Sequence, residues 1–250
     1  MRILLLAGGS GGHIYPALAI APALRKRDPR VELLFVCARK RLDRSILERS
    51  GERYKSIFAG KLRRYFSLQN LSDIFLVGIG VLQSFVILAR FRPQVIFSKG
   101  GYASVPLALA ARLWRIPLVI HESDSVPGLA NRIVSRQAAR ILTAFPSEHG
   151  QQVGTPLRPE ALAGDAAKGR AFLDFESDKP IVFVFAGSQG SVRINDAVYN
   201  ALERLISVAN VVLVTLNTDC RPVARSEVSC LPSLHDEYAD VLAAADLVVC

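Results

Sequence analysis

Cysteine is scarce in this sequence: Cys37, Cys220, Cys230 and Cys250 are the only four in 250 residues. None forms a CxxC pair, and their irregular spacing excludes a zinc ribbon and a disulfide scaffold. They read as buried or incidental thiols of a reducing compartment. There is also no HxxxH and no DxD, so no metal site and no other cofactor is expected. The apolar run at the N-terminus, Ile3 to Ala7, is too short for a signal-peptide core of roughly 7–15 residues, and the chain reads as cytosolic. Acidic residues are few at the front: residues 1–100 hold 18 Lys and Arg against 6 Asp and Glu, whereas 101–250 hold 13 against 16. The net charge of +9 therefore sits in the first half. Such a half suits nucleic acid, an anionic membrane or a phosphorylated substrate. No nucleic-acid-binding motif or basic recognition helix accompanies the charge, so nucleic acid is not expected as a partner.

What is present is ordinary globular composition, 50% hydrophobic and 21% charged. That excludes global disorder, collagen and coiled coil. The length suits one large or two small domains. A unit of strand, glycine turn and helix recurs three times. The first is 2–7 as strand, GGSGGH at 8–13 as turn, and a helix over about Tyr15 to Arg27, with Pro16 near its start. The second is 94–98 as strand, Gly100-Gly101 as turn, and a helix over 105–114. The third is 180–186 as strand, GSQGS at 187–191 as turn, and a helix over 194–205. Short apolar runs at 31–37, 118–121, 141–144, 211–216 and 247–250 read as further buried strands. Near-continuous apolar strands alternating with helices predict an α/β fold with parallel sheets. A boundary is expected near Arg158, giving domains 1–158 and 159–250. The second has fewer strands than a doubly wound domain normally holds, so it reads as incomplete.

The segment 74–89, IFLVGIGVLQSFVILA, is uncharged over 16 residues. Apolar nearly all round, it suits a buried helix. Its cationic flanks, Lys61, Arg63 and Arg64 before and Arg90 and Arg92 after, suit instead a helix adsorbed on anionic lipid.

A glycine turn between strand and helix lets backbone N–H groups approach a phosphate, with the helix N-terminus adding partial positive charge. GGSGGH matches neither the dinucleotide nor the P-loop fingerprint, but His13 at a strand's carboxyl edge is placed to act as a general base near neutral pH. In GSQGS, Ser188 and Gln189 are candidates for a phosphate or sugar hydroxyl, and Ser191 for a helix cap. Arg158, in GTPLR, is a candidate phosphate partner through its bidentate fork. Glu122 and Asp124, in IHESD, either orient sugar hydroxyls, act as a base or cap a helix.

The blocks GGSGGH, SKGGYAS (98–104), IHESDSVPGLANR (120–132), GTPLR (154–158) and AGSQGSVRIN (186–195) together resemble the MurG family. These are peptidoglycan N-acetylglucosaminyltransferases that act on undecaprenyl-diphospho-muramoyl-pentapeptide. The resemblance implies a GT-B fold: two Rossmann-like domains with a cleft between them, the first on the lipid-linked acceptor and membrane side, the second on the UDP-GlcNAc side. It implies inverting transfer of GlcNAc to the muramoyl 4-hydroxyl without an essential metal, by an enzyme peripheral to the cytoplasmic face of the cell membrane. It implies His13 as candidate base and Ser10, Gly11, Gly12, Asp124, Arg158, Ser188 and His235 as donor-binding positions. Gly100, Gly101, Tyr102 and Glu122 fall at acceptor-binding positions. Asp124 stands where the family has a sugar-contacting Asn, so an amide donor is lost there. The family's donor motif falls beyond Cys250, and the chain is expected to be truncated. The competing readings are a GT-B lipid glycosyltransferase of the diacylglycerol type and a non-catalytic fragment.

Overall fold

The structure, a computed structural model, describes all residues except 61–68, 188 and 189, 217–219, 222 and 224, and except the side chains of 69–71. The chain divides into two compact units, Met1–Leu157 and Arg158–Cys250.

The first unit runs β1 (Arg2–Leu6), α1 (Gly11–Arg27), β2 (Glu32–Ala38), α2 (Arg41–Arg49), β3 (Tyr54–Ile57), α3 (Gln69–Phe91), β4 (Val95–Ser98), α4 (Ser104–Leu113), β5 (Leu118–Glu122), α5 (Leu129–Ser135), β6 (Arg140–Thr143) and β7 (Gln151–Gln152). Its strands form one parallel sheet in the order β3-β2-β1-β4-β5-β6-β7. Both faces are covered, which is why β1 is apolar at every position after Arg2. Leu4 and Leu6 pack with Leu34, Val36, Ile57 and Ile96 on one face. Ile3, Leu5 and Ala7 pack with Leu33, Phe35 and Leu47 on the other. Cutting any of these buried leucines to alanine costs about 2–5 kcal/mol. The winding direction reverses between β1 and β4, and the carboxyl ends of strands at such a reversal are where open α/β sheets bind ligand.

Two local expectations are corrected in this unit. α1 begins at Gly11, four residues before Tyr15. Gly11, Gly12 and His13 are therefore its first turn, and Pro16 lies inside the helix. Pro16 has no N–H to give the Gly12 carbonyl. The buried-helix expectation for 74–89 is corrected too. Ile74, Phe75, Leu82 and Val86 are 60%, 71%, 67% and 50% exposed. The opposite side of α3 carries Leu88 and Phe91 into the core, with Val77 and Phe85 packed alongside. Gln83 on α3 accepts a hydrogen bond from the Phe58 N–H through Oε1 at 2.8 Å. A Cβ added at Gly80 would collide with the Phe58 carbonyl. Ser72–Phe91, with mean hydropathy 2.1, is long and apolar enough to cross a membrane. Lys61, Arg63 and Arg64 lie outside the described residues.

The second unit runs α6 (Pro159–Leu162), α7 (Ala166–Leu173), β8 (Ile181–Phe185), α8 (Val192–Ile206), β9 (Asn210–Val214), β10 (Val228–Leu231), α9 (Tyr238–Ala244) and β11 (Leu247–Val249). Among the described residues its strands form a parallel sheet in the order β10-β9-β8-β11. Asp165 caps α7, its Oδ1 accepting from the N–H groups of Ala167 at 2.9 Å and Lys168 at 3.3 Å. Gly169 lets α7 lie close against α9, since a Cβ there would run into the Asp240 carbonyl. The reading of all four cysteines as thiols is corrected here. Cys220 and Cys230 form a disulfide, with their Cα atoms 5.9 Å apart. The chain leaves β9 through Leu216 at φ 58 and returns to the carboxyl half of the neighbouring β10, a proximity that irregular spacing does not reveal. Cys37 is a buried thiol and Cys250 an exposed one.

Candidate active site

The site of the first unit is built where β1, β4 and β5 end. Gly9 is held on three sides. Its N–H donates to Asp43 Oδ2 at 2.7 Å, and its carbonyl accepts from Lys40 Nζ at 3.4 Å. A Cβ on Gly9 would sit 2.7 Å from Cε1 of Tyr102, so the phenol ring fills the space a side chain would take. Lys40 Nζ is 5.2 Å from the centroid of that ring, within cation–π range. The loops after β1 and β4 also touch through glycine. Gly100 and Gly101 have φ of 96° and 83°, and a Cβ on Gly101 would strike the Gly8 carbonyl. Gly12, by contrast, has room: a Cβ there meets Ser10 Oγ at an ordinary 3.7 Å. Burial holds the Asp43 carboxyl above the usual carboxylate range, against the Gly9 N–H and Lys40, which pull it down.

His13 lies in the first turn of α1. Ser10 stands at the N-cap without capping through its side chain; its Oγ is instead 2.8 Å from His13 Nδ1. Burial, followed by the Lys99 ammonium, holds the imidazole below its ordinary pKa, against Asp124 and Glu122, which raise it. Lys99 is fully buried and donates to Ser123 Oγ at 2.7 Å; burial pushes its ammonium down to about 8. The Glu122 carboxylate is turned to its own loop. Oε1 accepts from the Asp124 N–H at 3.0 Å. Oε2 accepts from the Gly128 N–H at 3.2 Å and from Asn131 Nδ2 at 2.8 Å. His121 Nε2 lies 2.8 Å from the Gly154 carbonyl, tying the 153–157 segment to β5.

Ser10, Gly11, Gly12, His13, Gly100, Gly101, Tyr102, Glu122 and Asp124 are thus gathered at one sheet edge. Asp124 is exposed there, whereas Glu122 and Tyr102 are occupied within the fold. Arg158 stands at the N-cap of α6 and acts electrostatically on Tyr238 of the same unit. His235 follows β10, its Nε2 3.5 Å from Ser233 Oγ. Ser188 and Gln189 lie outside the described residues. Beside them, Ser191 caps α8, its Oγ accepting from the Ile194 N–H at 3.4 Å. Among the described residues no group of three or more His, Cys, Asp or Glu side chains is placed to hold a metal ion. Sequence reasoning misses Asp43, Lys99 and Ser123. Asp43 is 34 residues from Gly9, and only pairing of β1 with β2 brings α2 to the loop. Lys99 stands in a quoted block, but nothing in the string says that a lysine is buried.

Residues 3–143 match the model of the glycosyltransferase family 28 N-terminal domain. The chain is 38% identical over 257 aligned residues to the UDP-N-acetylglucosamine–N-acetylmuramyl-(pentapeptide) pyrophosphoryl-undecaprenol N-acetylglucosamine transferase 2 of Bacillus cereus, covering 99% of this chain and 72% of that protein. It is 36% identical, with the same coverage, to the transferase of Clostridium botulinum. Among solved structures it resembles Acinetobacter baumannii MurG, with TM-score 0.68, 23% identity, and 99% and 72% of the two chains covered. It also resembles the UDP-GlcNAc 2-epimerase of Neisseria meningitidis bound to UDP-GlcNAc, with TM-score 0.65, 12% identity, and 99% and 76% covered.

Proposed function

Because this chain belongs to the MurG branch of glycosyltransferase family 28, with an α/β fold of the GT-B type, we propose that it transfers GlcNAc from UDP-GlcNAc to the 4-hydroxyl of the undecaprenyl-diphospho-muramoyl-pentapeptide. It is a UDP-sugar glycosyltransferase of peptidoglycan synthesis. The observation that carries the reading is the 38% identity across 99% of the chain. The site geometry fits it: glycine loops at the sheet's winding reversal, and one imidazole among them.

The chemistry we assign to the residues runs as follows. His13 in its Nδ1–H tautomer donates to Ser10 Oγ, which leaves the Nε2 lone pair for the proton of the acceptor hydroxyl. The oxygen then displaces UDP at the anomeric carbon from the opposite face, with inversion. Charge growing on the leaving diphosphate is met by N–H groups at the head of α8 and by Arg158. Tyr102 and Glu122 act through the loops they hold, while Asp124, exposed at the edge, is the sugar-side group. Assaying the whole 250-residue chain with labelled UDP-GlcNAc tests this. Label should enter the muramoyl-pentapeptide lipid and not diacylglycerol; the reverse would move the enzyme to another pathway. His13→Ala should lower turnover about 10²–10⁴-fold with UDP-GlcNAc binding little changed. Near-normal turnover would remove His13 from the reaction.

The same reading sets the enzyme on the cytoplasmic face of the membrane, held peripherally by the exposed side of α3. Gln83, Gly80 and Leu88 on the other side are taken up by the unit's own fold, so withdrawing the helix to span a bilayer would uncover the sheet. Near its end a groove of about 550 Å³ is lined by Arg2, Arg53, Lys55 and Arg90, four cations against the one carboxylate of Glu32, beside Val86. That combination suits an anionic lipid surface. Phe75→Asp with Leu82→Asp should abolish binding to anionic vesicles while the chain stays folded; undiminished binding would move the membrane face elsewhere.

A further inference from the structure

Lys99 directly follows β4 and exposes none of its surface. A buried ammonium is normally paired with a carboxylate. Here the hydrogen-bond partner is a neutral hydroxyl, Ser123 Oγ at 2.7 Å. The buried carboxylate of Glu122 spends both oxygens on Asp124 N–H, Gly128 N–H and Asn131 Nδ2. Among the described residues Lys99 has no ion pair within salt-bridge distance. The fold therefore keeps a desolvated positive charge at the site edge without neutralising it, an arrangement that costs stability and clusters at functional sites.

We propose that Lys99 is a positioning residue for the transfer reaction: its buried charge keeps the His13 imidazole in the neutral, proton-accepting form, and its bond to Ser123 pins the loop that carries Asp124. The proposal rests on the reading of His13 as the base. The groups that face His13 come from every neighbouring element. Lys99 directly follows β4, two residues before Gly101, where a Cβ would meet His13 Nδ1 at 3.5 Å, and it opposes a second positive charge there. Glu122 from β5 and Asp124 from the following loop favour it. Ser10 takes Nδ1 on the same turn. On the other side of the loop Asp43, Lys40 and Tyr102 are engaged with Gly9. Burial and Lys99 together outweigh the two carboxylates. Without Lys99 only burial opposes the carboxylates, and the imidazole moves toward its protonated form, which cannot accept a proton.

The experiment is an NMR pH titration of the chain labelled at its four histidines. Native protein is compared with Lys99→Met, with Lys99→Gln, which is neutral but can still donate to Ser123, and with Ser123→Ala, which keeps the charge. The His13 midpoint should move upward in both neutral variants and move less in Ser123→Ala, which keeps the charge and only frees the loop of Asp124. In the transfer assay the neutral variants should lose several-fold more kcat/KM at pH 6 than at pH 8. An unmoved or lowered His13 midpoint in whichever neutral variant folds overturns the proposal, as does an equal rise in Ser123→Ala. The titration stands apart from the base assignment: if His13→Ala keeps turnover, the base reading fails, while the Lys99–His13 coupling is still decided by the midpoints.

Discussion

The carboxyl ends of the two sheets are stabilised by different means. In the first unit the buried polar groups include Asp43, Lys99, His121 and Glu122, and three of these four surround His13 or its loop. In the second unit the buried polar side chains among the described residues are Asn195, Asn210 and Thr215, all neutral, and Cys220–Cys230 ties the segment after β9 to β10. The glycine turns differ likewise. After β1, Gly8 and Gly9 are locked against Gly101, Tyr102 and Asp43. After β8, the turn leads to a helix capped by one serine. Repeating the strand–turn–helix unit does not repeat the chemistry. The first edge carries desolvated charge, which is costly and useful for moving a proton. The second, among the described residues, carries no buried charge.

The difference can be broken at three points. Gly101→Ala should destabilise the first unit by about 3 kcal/mol, because φ of 83° and the Gly8 carbonyl both oppose a side chain. Gly12→Ala, which meets only ordinary contact, should change stability by less than about 1 kcal/mol and serves as its control. Equal urea midpoints for the two variants would mean that the loops are not interlocked. The second point is Lys99→Met, expected to stabilise the first unit at pH 7 by about 2 kcal/mol. Between about 8, where the folded chain releases the Lys99 proton, and its ordinary 10.5, the unfolded chain binds the extra proton. Native stability should therefore rise with pH across that window, and the rise should be flat in Lys99→Met; an unchanged slope would place the charge in solvent. The third point is Cys220→Ser, close in size to the second and opposite in sign. Opening a loop that closes over a sequence separation of 10 residues should cost the second unit about 2–3 kcal/mol under oxidising conditions and nothing in excess dithiothreitol. A loss that persists in the reductant would trace to packing instead.

The alternation of apolar strands with helices and the glycine-marked turns are legible in the sequence, because each is a local pattern: period and turn chemistry. The family likeness was legible for the same reason, as blocks kept in order. Strands β3 and β10 were not. YKSI and VSCL are short and mixed, and they become strands only because β2 and β9 offer open edges. The start of α1 at Gly11 is not legible, because Gly11 and Gly12 have low helix propensity and Pro16 resembles a first helical residue. Helix α3 shows apolar residues nearly all round in sequence, and only its packing on β3 and α4 decides which side is spare.

Sequence alone thus determined the α/β class, the place of the glycine loops and the identity of the imidazole among them. Tertiary structure decided which groups surround that imidazole. Asp43 reaches Gly9 across 34 residues and Lys99 reaches Ser123 across 24, through strand pairings that no local window contains. It also decided that Lys99 is buried and that Cys220 meets Cys230. Burial and proximity set the charge of a side chain and the partner of a thiol, and both are properties of the packed chain, not of the residue.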